Sequence, residues 1–183
     1  MVFSLVTNRL ILEDLNENDL VHIQSIANDR KIMKYVFIWL ENNEQINDFF
    51  QYAISESRKQ NRSGYILAVR VKSTFDFAGF LLLEIDTDQP TTAEVGCILR
   101  PQFWKSGYAT EVLQTLLLFG FDTLKLHRIY GKCDELNLAS AHVLEKCGLI
   151  YEGTIREHVW LRDHWRSTRY YGMLINEYQK ERH

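Results

Sequence analysis

Three cysteines, two prolines and six histidines are few for a chain of 183 residues, and their spacing excludes several kinds of site. Cys97, Cys133 and Cys147 form no CxxC pair, and an odd number of cysteines completes no disulfide framework. The histidines show no zinc-ligand spacing with these cysteines, which argues against a metal site. We therefore expect the cysteines to be small buried hydrophobic residues in a reducing cytoplasm.

Long hydrophobic runs and an excess of one charge are also missing. The longest apolar runs, such as 116–119, are far shorter than a membrane span, and the amino terminus lacks a basic region followed by a long apolar stretch. The 21 basic and 24 acidic side chains give a net charge of −3, which offers nucleic acid no basic surface. The composition thus predicts a cytoplasmic protein with neither a membrane nor a nucleic-acid partner.

Apolar residues, by contrast, are present at the level of an ordinary globular protein. They make up 46% of the chain and charged residues 25%, which is enough to build one hydrophobic core. No linker, repeat or low-complexity segment divides the sequence. We predict a single domain over residues 1–183.

Hydrophobic periodicity predicts about seven strands and about four helices. The predicted strands are 9–13, 65–72, 77–86, 92–99, 127–133, 150–160 and 169–176. The predicted helices are a short one that opens at Asn16, then 43–59, 107–124 and 138–147. Short connections favour antiparallel pairing, but a crossover helix joins strands 92–99 and 127–133 into a right-handed parallel pair. The fold class is therefore α/β (α+β), with a mixed, mostly antiparallel sheet and a central parallel pair.

The segment 97–111 follows the first strand of the parallel pair, where sheets of this kind bind ligands. Pro101 ends the strand, and Gly107 allows a sharp turn or the close approach of a ligand. The free amides and positive dipole of the following helix suit a phosphate or pyrophosphate, and Lys105 adds a positive charge. Neither a P-loop nor a dinucleotide-binding glycine motif is present. A loop that simply connects strand and helix is the alternative.

Several short motifs follow one another along the chain. They are Glu94-x-Gly96, Pro101-x-x-Trp104-x-x-Gly107-Tyr-Ala-Thr-Glu111, Asn137-x-x-Ser140 and Glu145-Lys-Cys-Gly148. This series resembles the GNAT superfamily of acetyl-CoA-dependent N-acetyltransferases, in its RimJ/RimL-like branch, over nearly the whole chain. The resemblance implies a GNAT fold and direct transfer of the acetyl group of acetyl-CoA to an amine within a ternary complex. The acceptor would be a protein N-terminal α-amine or a small-molecule amine.

The resemblance also implies which residues hold acetyl-CoA. The backbone end of the strand (Cys97, Ile98 and Leu99) would pair with the pantetheine arm, and the amide of Cys97 or Ile98 would stabilise the oxyanion formed on the thioester. Asn137 would lie beside the same arm. The family's coenzyme-A loop, whose amides hold the pyrophosphate, falls on Trp104, Lys105, Ser106, Gly107, Tyr108, Ala109 and Thr110.

Two positions depart from the family pattern. The RimJ/RimL-like branch usually has glycine directly after the tryptophan, where this chain has Lys105; its side chain would either crowd the loop or contact a phosphate, and we favour the contact. Many GNAT enzymes carry a tyrosine seven residues after the asparagine as general acid, and here that residue is Leu144. We assign Ser140 as the proton donor to the leaving thiolate, with helix capping as the alternative role.

Acetyl transfer needs a neutral amine, so some group must accept a proton directly or through water. Glu94 is the predicted base, because it interrupts an apolar strand a few residues before the strand ends. Strand alternation puts it on the same face as Gly96 and Ile98. A salt-bridged or solvated Glu94 is the alternative, and Glu152 or water would then replace it as the base.

The resemblance places aromatic residues around the acceptor cleft, although most of them are expected in the core or as lining. They are Tyr35, Phe37, Trp39, Trp160, Trp165, Tyr170 and Tyr171. The run 164–166 (His-Trp-Arg) is typical of an exposed hairpin tip. Members of this family are often monomers or dimers, so the resemblance implies a monomer or homodimer.

Two other function classes compete with the enzyme. A catalytically silent, coenzyme-A-binding sensor or partner protein of the same fold would bind acetyl-CoA without turnover on any amine. A Cys/His hydrolase would need Cys97 or Cys133 beside a histidine, and the sequence has no nucleophile signature for it.

Overall fold

A mixed sheet of eight strands organises the computed structural model, which describes residues 2–38 and 40–180. Its spatial order is β1-β2-β3-β4-β5-β6-β8-β7, and only β5 and β6 run parallel. The strands are β1 (Ser4–Val6), β2 (Leu10–Asp14), β3 (Gly64–Val71), β4 (Phe77–Ile85), β5 (Thr92–Leu99), β6 (Arg128–Asp134), β7 (Ile150–Leu161) and β8 (His164–Leu174). The helices are α1 (Leu20–Ala27), α2 (Arg30–Met33), α3 (Asn43–Arg58), α4 (Tyr108–Leu118), α5 (Leu138–Lys146) and α6 (Ile175–Lys180).

Helices cover both faces of the sheet and bury a separate apolar cluster on each. On one face, Leu113 and Leu116 of α4 and Leu144 of α5 pack against alternate residues of β5. On the other, α1–α3 pack on β2–β4 through buried side chains such as Ile23 and Phe50. No helix among the residues described packs along the second face of β5–β8; the segment after α2 covers this face around Arg166, and the rest of it is open.

Local signals explain where the longer helices begin. The Asn42 side chain accepts a hydrogen bond from the Gln45 amide at 2.9 Å and caps α3, whose apolar residues recur at helical spacing. Asn137 caps α5 in the same way. Gly107 precedes α4 and has no side chain with which to cap it.

The predicted fold class is confirmed, while the predicted counts need correction. The sheet has eight strands rather than seven, and six helices flank it rather than four. The missed elements are β1, α2 and α6, each three to six residues long and therefore too short to show a clear period. The last strand ends at Leu174, because the Glu177 carboxylate accepts a hydrogen bond from the Leu174 amide at 2.8 Å, and α6 begins at the next residue.

Two predicted boundaries also shift. The helix expected over 107–124 is α-helical only as far as Leu118 and continues as a π-helical turn over Phe119–Thr123. The β7–β8 turn lies at Arg162 and Asp163, both with positive φ, rather than at 164–166. No helix within the described ranges is long and apolar enough to cross a membrane.

Candidate active site

The parallel strands β5 and β6 pair over only three positions and then separate. Their register runs from Thr92 opposite Arg128 to Glu94 opposite Tyr130. Beyond Glu94, β5 stays paired with β4 as far as Leu99, while β6 stays paired with β8. The two carboxyl ends therefore leave a cleft between them in the middle of the sheet.

Cys97 presents its backbone amide and carbonyl to this cleft. The Arg100 amide bonds to Ala78 in β4, and a Cβ on Gly79 would lie 2.0 Å from the Ile98 carbonyl oxygen, so residues 98 and 100 point toward β4. Neighbouring residues of a strand point to opposite edges. Of the two predicted oxyanion amides, the geometry thus favours Cys97, since the amide of Ile98 lies on the other edge.

The loop after β5 is folded by its own side chains. The Trp104 indole Nε1 donates to the Leu99 carbonyl at 2.6 Å, and the Ser106 hydroxyl donates to the Phe103 carbonyl at 2.5 Å. Lys105 and Gly107 both adopt the left-handed conformation, with φ of 58° and 82°. A side chain at position 105 is therefore strained, and glycine, which the resemblance led us to expect here, would not be.

A charged contact from the amino-terminal part of the chain anchors the start of α4. Arg9 donates through Nε to Glu111 at 2.7 Å and through Nη1 to the Ser106 carbonyl at 2.9 Å. Thr7 donates its hydroxyl to the same carboxylate at 2.5 Å. Burial would raise the pKa of Glu111, but the hydrogen bonds from Thr7 and Arg9 outweigh it and hold that pKa below its usual value. Sequence reasoning missed this anchor, which joins residues about a hundred positions apart.

The amino terminus of α4 fits a pyrophosphate. Gly107 is its N-cap without any side-chain hydrogen bond, so the amides of Tyr108, Ala109 and Thr110 have no intrahelical acceptor. These amides can donate hydrogen bonds to an anion, and the positive end of the helix dipole stabilises its negative charge. Lys105 is exposed beside them.

The role of Lys105 can be separated from its backbone strain by substitution. If its ammonium contacts a phosphate, Lys105→Asn, which tolerates the left-handed conformation, should raise the KM for acetyl-CoA about two- to fivefold and weaken its salt dependence. Lys105→Arg should have a KM for acetyl-CoA close to that of the parent protein. A lower KM in both Lys105→Asn and Lys105→Gly would show instead that the side chain crowds the loop.

Asn137 and Ser140 lie at the start of α5. The Asn137 Oδ1 accepts the Ser140 amide at 3.2 Å, so Asn137 is the capping residue and the alternative capping role of Ser140 is wrong. The Ser140 side chain is instead within hydrogen-bonding reach of the Cys133 thiol at the end of β6. Ser140 is half-buried.

The cysteines do not provide a nucleophile. All three are free, and burial raises the pKa of Cys97 to about 12 and those of Cys133 and Cys147 to about 11. Their thiols are therefore neutral near pH 7. This removes the main support for a Cys/His hydrolase.

Glu94 lies on the open face of the sheet in an ion pair. Lys132 of β6 donates to its Oε2 at 2.7 Å, which leaves Oε1 as the oxygen that could accept a proton. Burial and the charge of Glu94 raise the pKa of Glu84, the residue opposite it in β4. The alternative base Glu152 accepts hydrogen bonds from Nη1 and Nη2 of Arg128 at 2.6 and 2.5 Å, at the far end of β6 from the cleft.

A cavity of about 820 Å³ lies beyond the carboxyl end of β6, between the β7–β8 hairpin and the segment that follows α2. Three of the aromatic residues expected around the acceptor cleft line this cavity, namely Tyr35, Trp160 and Trp165. Residues 134–136 form another wall, and the chain runs from there into Asn137. The cavity is therefore next to the start of α5.

The other predicted aromatic residues lie elsewhere. Tyr171 is buried in the core with 1% of its surface exposed, and Tyr170 stacks on Tyr130 of β6. Phe37 is half-buried outside the cavity lining, and Trp39 falls outside the described residues. Within the described ranges, no group of three or more histidine, cysteine, aspartate or glutamate side chains could hold a metal ion.

Comparison with known proteins agrees with this geometry. Residues 9–150 match the acetyltransferase (GNAT) domain. The chain is 24% identical to the uncharacterized N-acetyltransferase YnaD of Bacillus subtilis, over 95% of this chain and 98% of that protein. Similar solved structures include spermidine N-acetyltransferase from Vibrio cholerae in complex with CoA and spermine (TM-score 0.80, 23% identity, 94% and 99% coverage) and RimL, the ribosomal L7/L12 α-N-protein acetyltransferase, in complex with coenzyme A (TM-score 0.81, 18% identity, 97% and 99% coverage).

Proposed function

Since this chain belongs to the GNAT family of acetyl-CoA-dependent N-acetyltransferases, we propose that it acetylates a protein N-terminal α-amine or a small-molecule amine by direct attack within a ternary complex. The observation that carries the proposal is the cleft between β5 and β6, which opens next to the uncapped amino terminus of α4. The β5 wall of this cleft presents the Cys97 amide, and the start of α4 presents the amides for a pyrophosphate. The absence of a thiolate favours direct attack over an acyl-enzyme.

In this proposal the loop and the strand edge hold acetyl-CoA. The amides of Tyr108, Ala109 and Thr110 would bind the pyrophosphate, supported by the loop Trp104, Lys105, Ser106 and Gly107. The backbone of Cys97 and Leu99 would pair with the pantetheine arm, with Asn137 beside it. The Cys97 amide would stabilise negative charge on the thioester oxygen.

The acceptor would enter from the open face of the sheet or from the neighbouring cavity. The two similar structures represent different acceptor classes. The Vibrio cholerae enzyme is a spermidine acetyltransferase, whereas RimL acetylates the α-amine of a ribosomal protein. We propose a place in the RimJ/RimL-like branch, because Asn137-x-x-Ser140 is present and Leu144 stands where many GNAT enzymes have tyrosine. We further propose a cytoplasmic monomer or homodimer that has no nucleic-acid or membrane partner.

Ser140 supplies a direct test of the enzyme. Ser140→Ala should lower kcat about tenfold or more with little change in the KM for acetyl-CoA, because a donor to the leaving thiolate acts only as the C–S bond breaks. Acetylated product is measured by mass spectrometry with free α-amino peptides and with spermidine. Ser55→Ala, an exposed helical serine far from the cleft, is the matched control and should match the parent protein. Equal rates for both variants would remove Ser140 from the chemistry.

A catalytically silent sensor of the same fold is the second candidate. Lys105 in place of glycine and Leu144 in place of tyrosine are the two observations that favour it. It predicts calorimetric binding of acetyl-CoA together with no acetylated product from any amine. Product from a single amine would exclude it.

A further inference from the structure

We infer that His158 accepts the proton of the acceptor ammonium, acting from a bulge of β7 on the open face of the sheet. The inference rests on the proposed function and adds a residue that the motifs do not reveal. The pairing of β7 with β8 shifts from Ile155 opposite Thr168 to Val159 opposite Arg166, so three residues of β7 face one residue of β8. Bulges of this kind re-aim side chains and are enriched beside active sites.

The bulge turns the His158 ring back over β8. Its Nδ1 lies 3.0 Å from the Oγ1 of Thr168, which is fully buried, and its ring centroid lies 6.1 Å from that of Tyr170. A fixed partner on one ring nitrogen sets the orientation of an imidazole and leaves the other nitrogen, here Nε2, for proton exchange. His158 itself is exposed, so water and a ligand can reach that nitrogen.

A row of side chains connects His158 with the cleft. Tyr170 stacks on Tyr130 with centroids 6.3 Å apart, and Tyr130 is the register partner of Glu94, the last residue of β5 that pairs with β6. Paired strands are about 4.8 Å apart, and β5 has already separated from β6 at the level of Thr168, so a ring above β8 lies more than about 10 Å from β5. That separation accommodates the acceptor amine and a bridging water between the imidazole and the thioester.

Other titratable groups on this face are engaged or weakly basic. Glu94 is paired with Lys132, and Asp134 is paired with Arg166. Burial raises the pKa of Tyr130, which keeps its phenol protonated. Arg156 and Glu157 flank His158 on β7, both exposed, and Tyr170 faces it from β8. Among the residues that the structure describes on this face, His158 is thus the one that combines an oriented ring with a second ring nitrogen open to proton exchange.

The ammonium R–NH₃⁺ gives one proton to His158 Nε2 and becomes R–NH₂, whose nitrogen pair forms a C–N bond with the thioester carbonyl carbon. The C–S bond breaks, and its electron pair leaves on sulfur. The second nitrogen proton reaches that thiolate, with the Ser140 hydroxyl as the proposed donor, which gives CoA–SH and R–NH–CO–CH₃. The imidazolium then releases its proton to water.

The test compares His158→Gln, His158→Ala and the control His127→Gln with the parent protein. His127 is an exposed histidine just before β6, at the end of that strand away from the cleft. Free thiol is measured with acetyl-CoA and, as acceptors, a trialanine peptide with a free α-amine and spermidine. Both His158 variants should lose about 100-fold in kcat at pH 7.5, the usual size of general-base catalysis, whereas His127→Gln should lose nothing.

Two further readouts separate a proton acceptor from a structural residue. Added imidazole should restore His158→Ala by about tenfold or more and leave His158→Gln, which has no space for it, unchanged. On the acid side of the pH profile, the logarithm of kcat/KM should rise with pH less steeply in both variants than in the parent, because the proposed proton acceptor is gone. Glu94→Gln should keep the parent's steep rise of the logarithm of kcat/KM with pH.

Each outcome is decisive. Rates within threefold of the parent overturn the inference while the acetyltransferase proposal stands. Lost rate without imidazole rescue and with the parent's pH dependence also overturns it, because His158 then acts only through the fold. A parent protein that acetylates neither acceptor counts against the proposed function itself, and the inference falls with it.

Discussion

Gly107→Val should weaken acetyl-CoA binding by at least about 100-fold. The left-handed conformation of this residue (φ 82°) costs an ordinary L-residue about 1–2 kcal/mol, and a β-branched residue more. A Cβ here would also lie 3.3 Å from the Arg9 guanidinium that anchors the loop. Displacing the loop removes at least two charge-assisted hydrogen bonds from α4 amides to pyrophosphate, each worth about 1.5–3 kcal/mol. The measurement is isothermal titration calorimetry with acetyl-CoA.

Gly107→Asn is the matched control. Asparagine tolerates the left-handed region, so this variant should keep the turn and bind much more tightly than Gly107→Val. Backbone strain should lower the thermal midpoint of Gly107→Val by a few degrees, whereas that of Gly107→Asn should stay closer to the parent. Equal affinity of Gly107→Val and the parent would mean that the start of α4 does not bind the pyrophosphate.

Arg166→Met should reduce the free energy of unfolding by about 3–5 kcal/mol, because it leaves the carboxylate of Asp134 buried without its partner. The two side chains are 6% and 1% exposed, and the Arg166 Nε donates to Asp134 at 2.6 Å. Arg166 also donates to the Lys34 carbonyl at 2.9 Å and so links the hairpin to the segment after α2. Urea unfolding followed by circular dichroism measures the change.

The ion pair Arg58–Glu17 provides the control. Its partners are 4.0 Å apart and more than 70% exposed, so Arg58→Met should change the free energy of unfolding by less than about 1 kcal/mol. The double variant Asp134→Asn with Arg166→Met should recover part of the loss, because no charge then remains buried. A loss no greater in Arg166→Met than in Arg58→Met would show that the buried pair does not hold the hairpin.

Local patterns in the sequence predicted the elements that position the cleft. The crossover unit from β5 through α4 to β6 follows from apolar periodicity, and Pro101 and Gly107 mark where the strand ends and the helix starts. Each of these signals acts within a few residues, so a single sequence is enough to read it. The choice of Cys97 over Ile98 needed the β4–β5 register, which depends on pairing between strands.

The features that the sequence did not reveal depend on contacts between distant residues. Arg9 pairs with Glu111, which lies about a hundred positions further along the sequence, and Lys132 of β6 pairs with Glu94 of the neighbouring strand β5. The bulge that turns His158 over β8 interrupts the period-two pattern on which strand prediction rests. The hairpin turn was misplaced because Arg162 and Asp163 adopt positive φ without glycine or asparagine to signal it.

The central claim is that this chain transfers the acetyl group of acetyl-CoA to an amine. The most direct measurement is the release of free coenzyme A by the unmodified protein, followed with a thiol reagent, with and without each amine of a panel of α-amino peptides, spermidine and small amines. We expect release that depends on one class of amine and saturates with its concentration. Tight acetyl-CoA binding with no amine-dependent release across the panel would contradict the claim and favour the silent sensor.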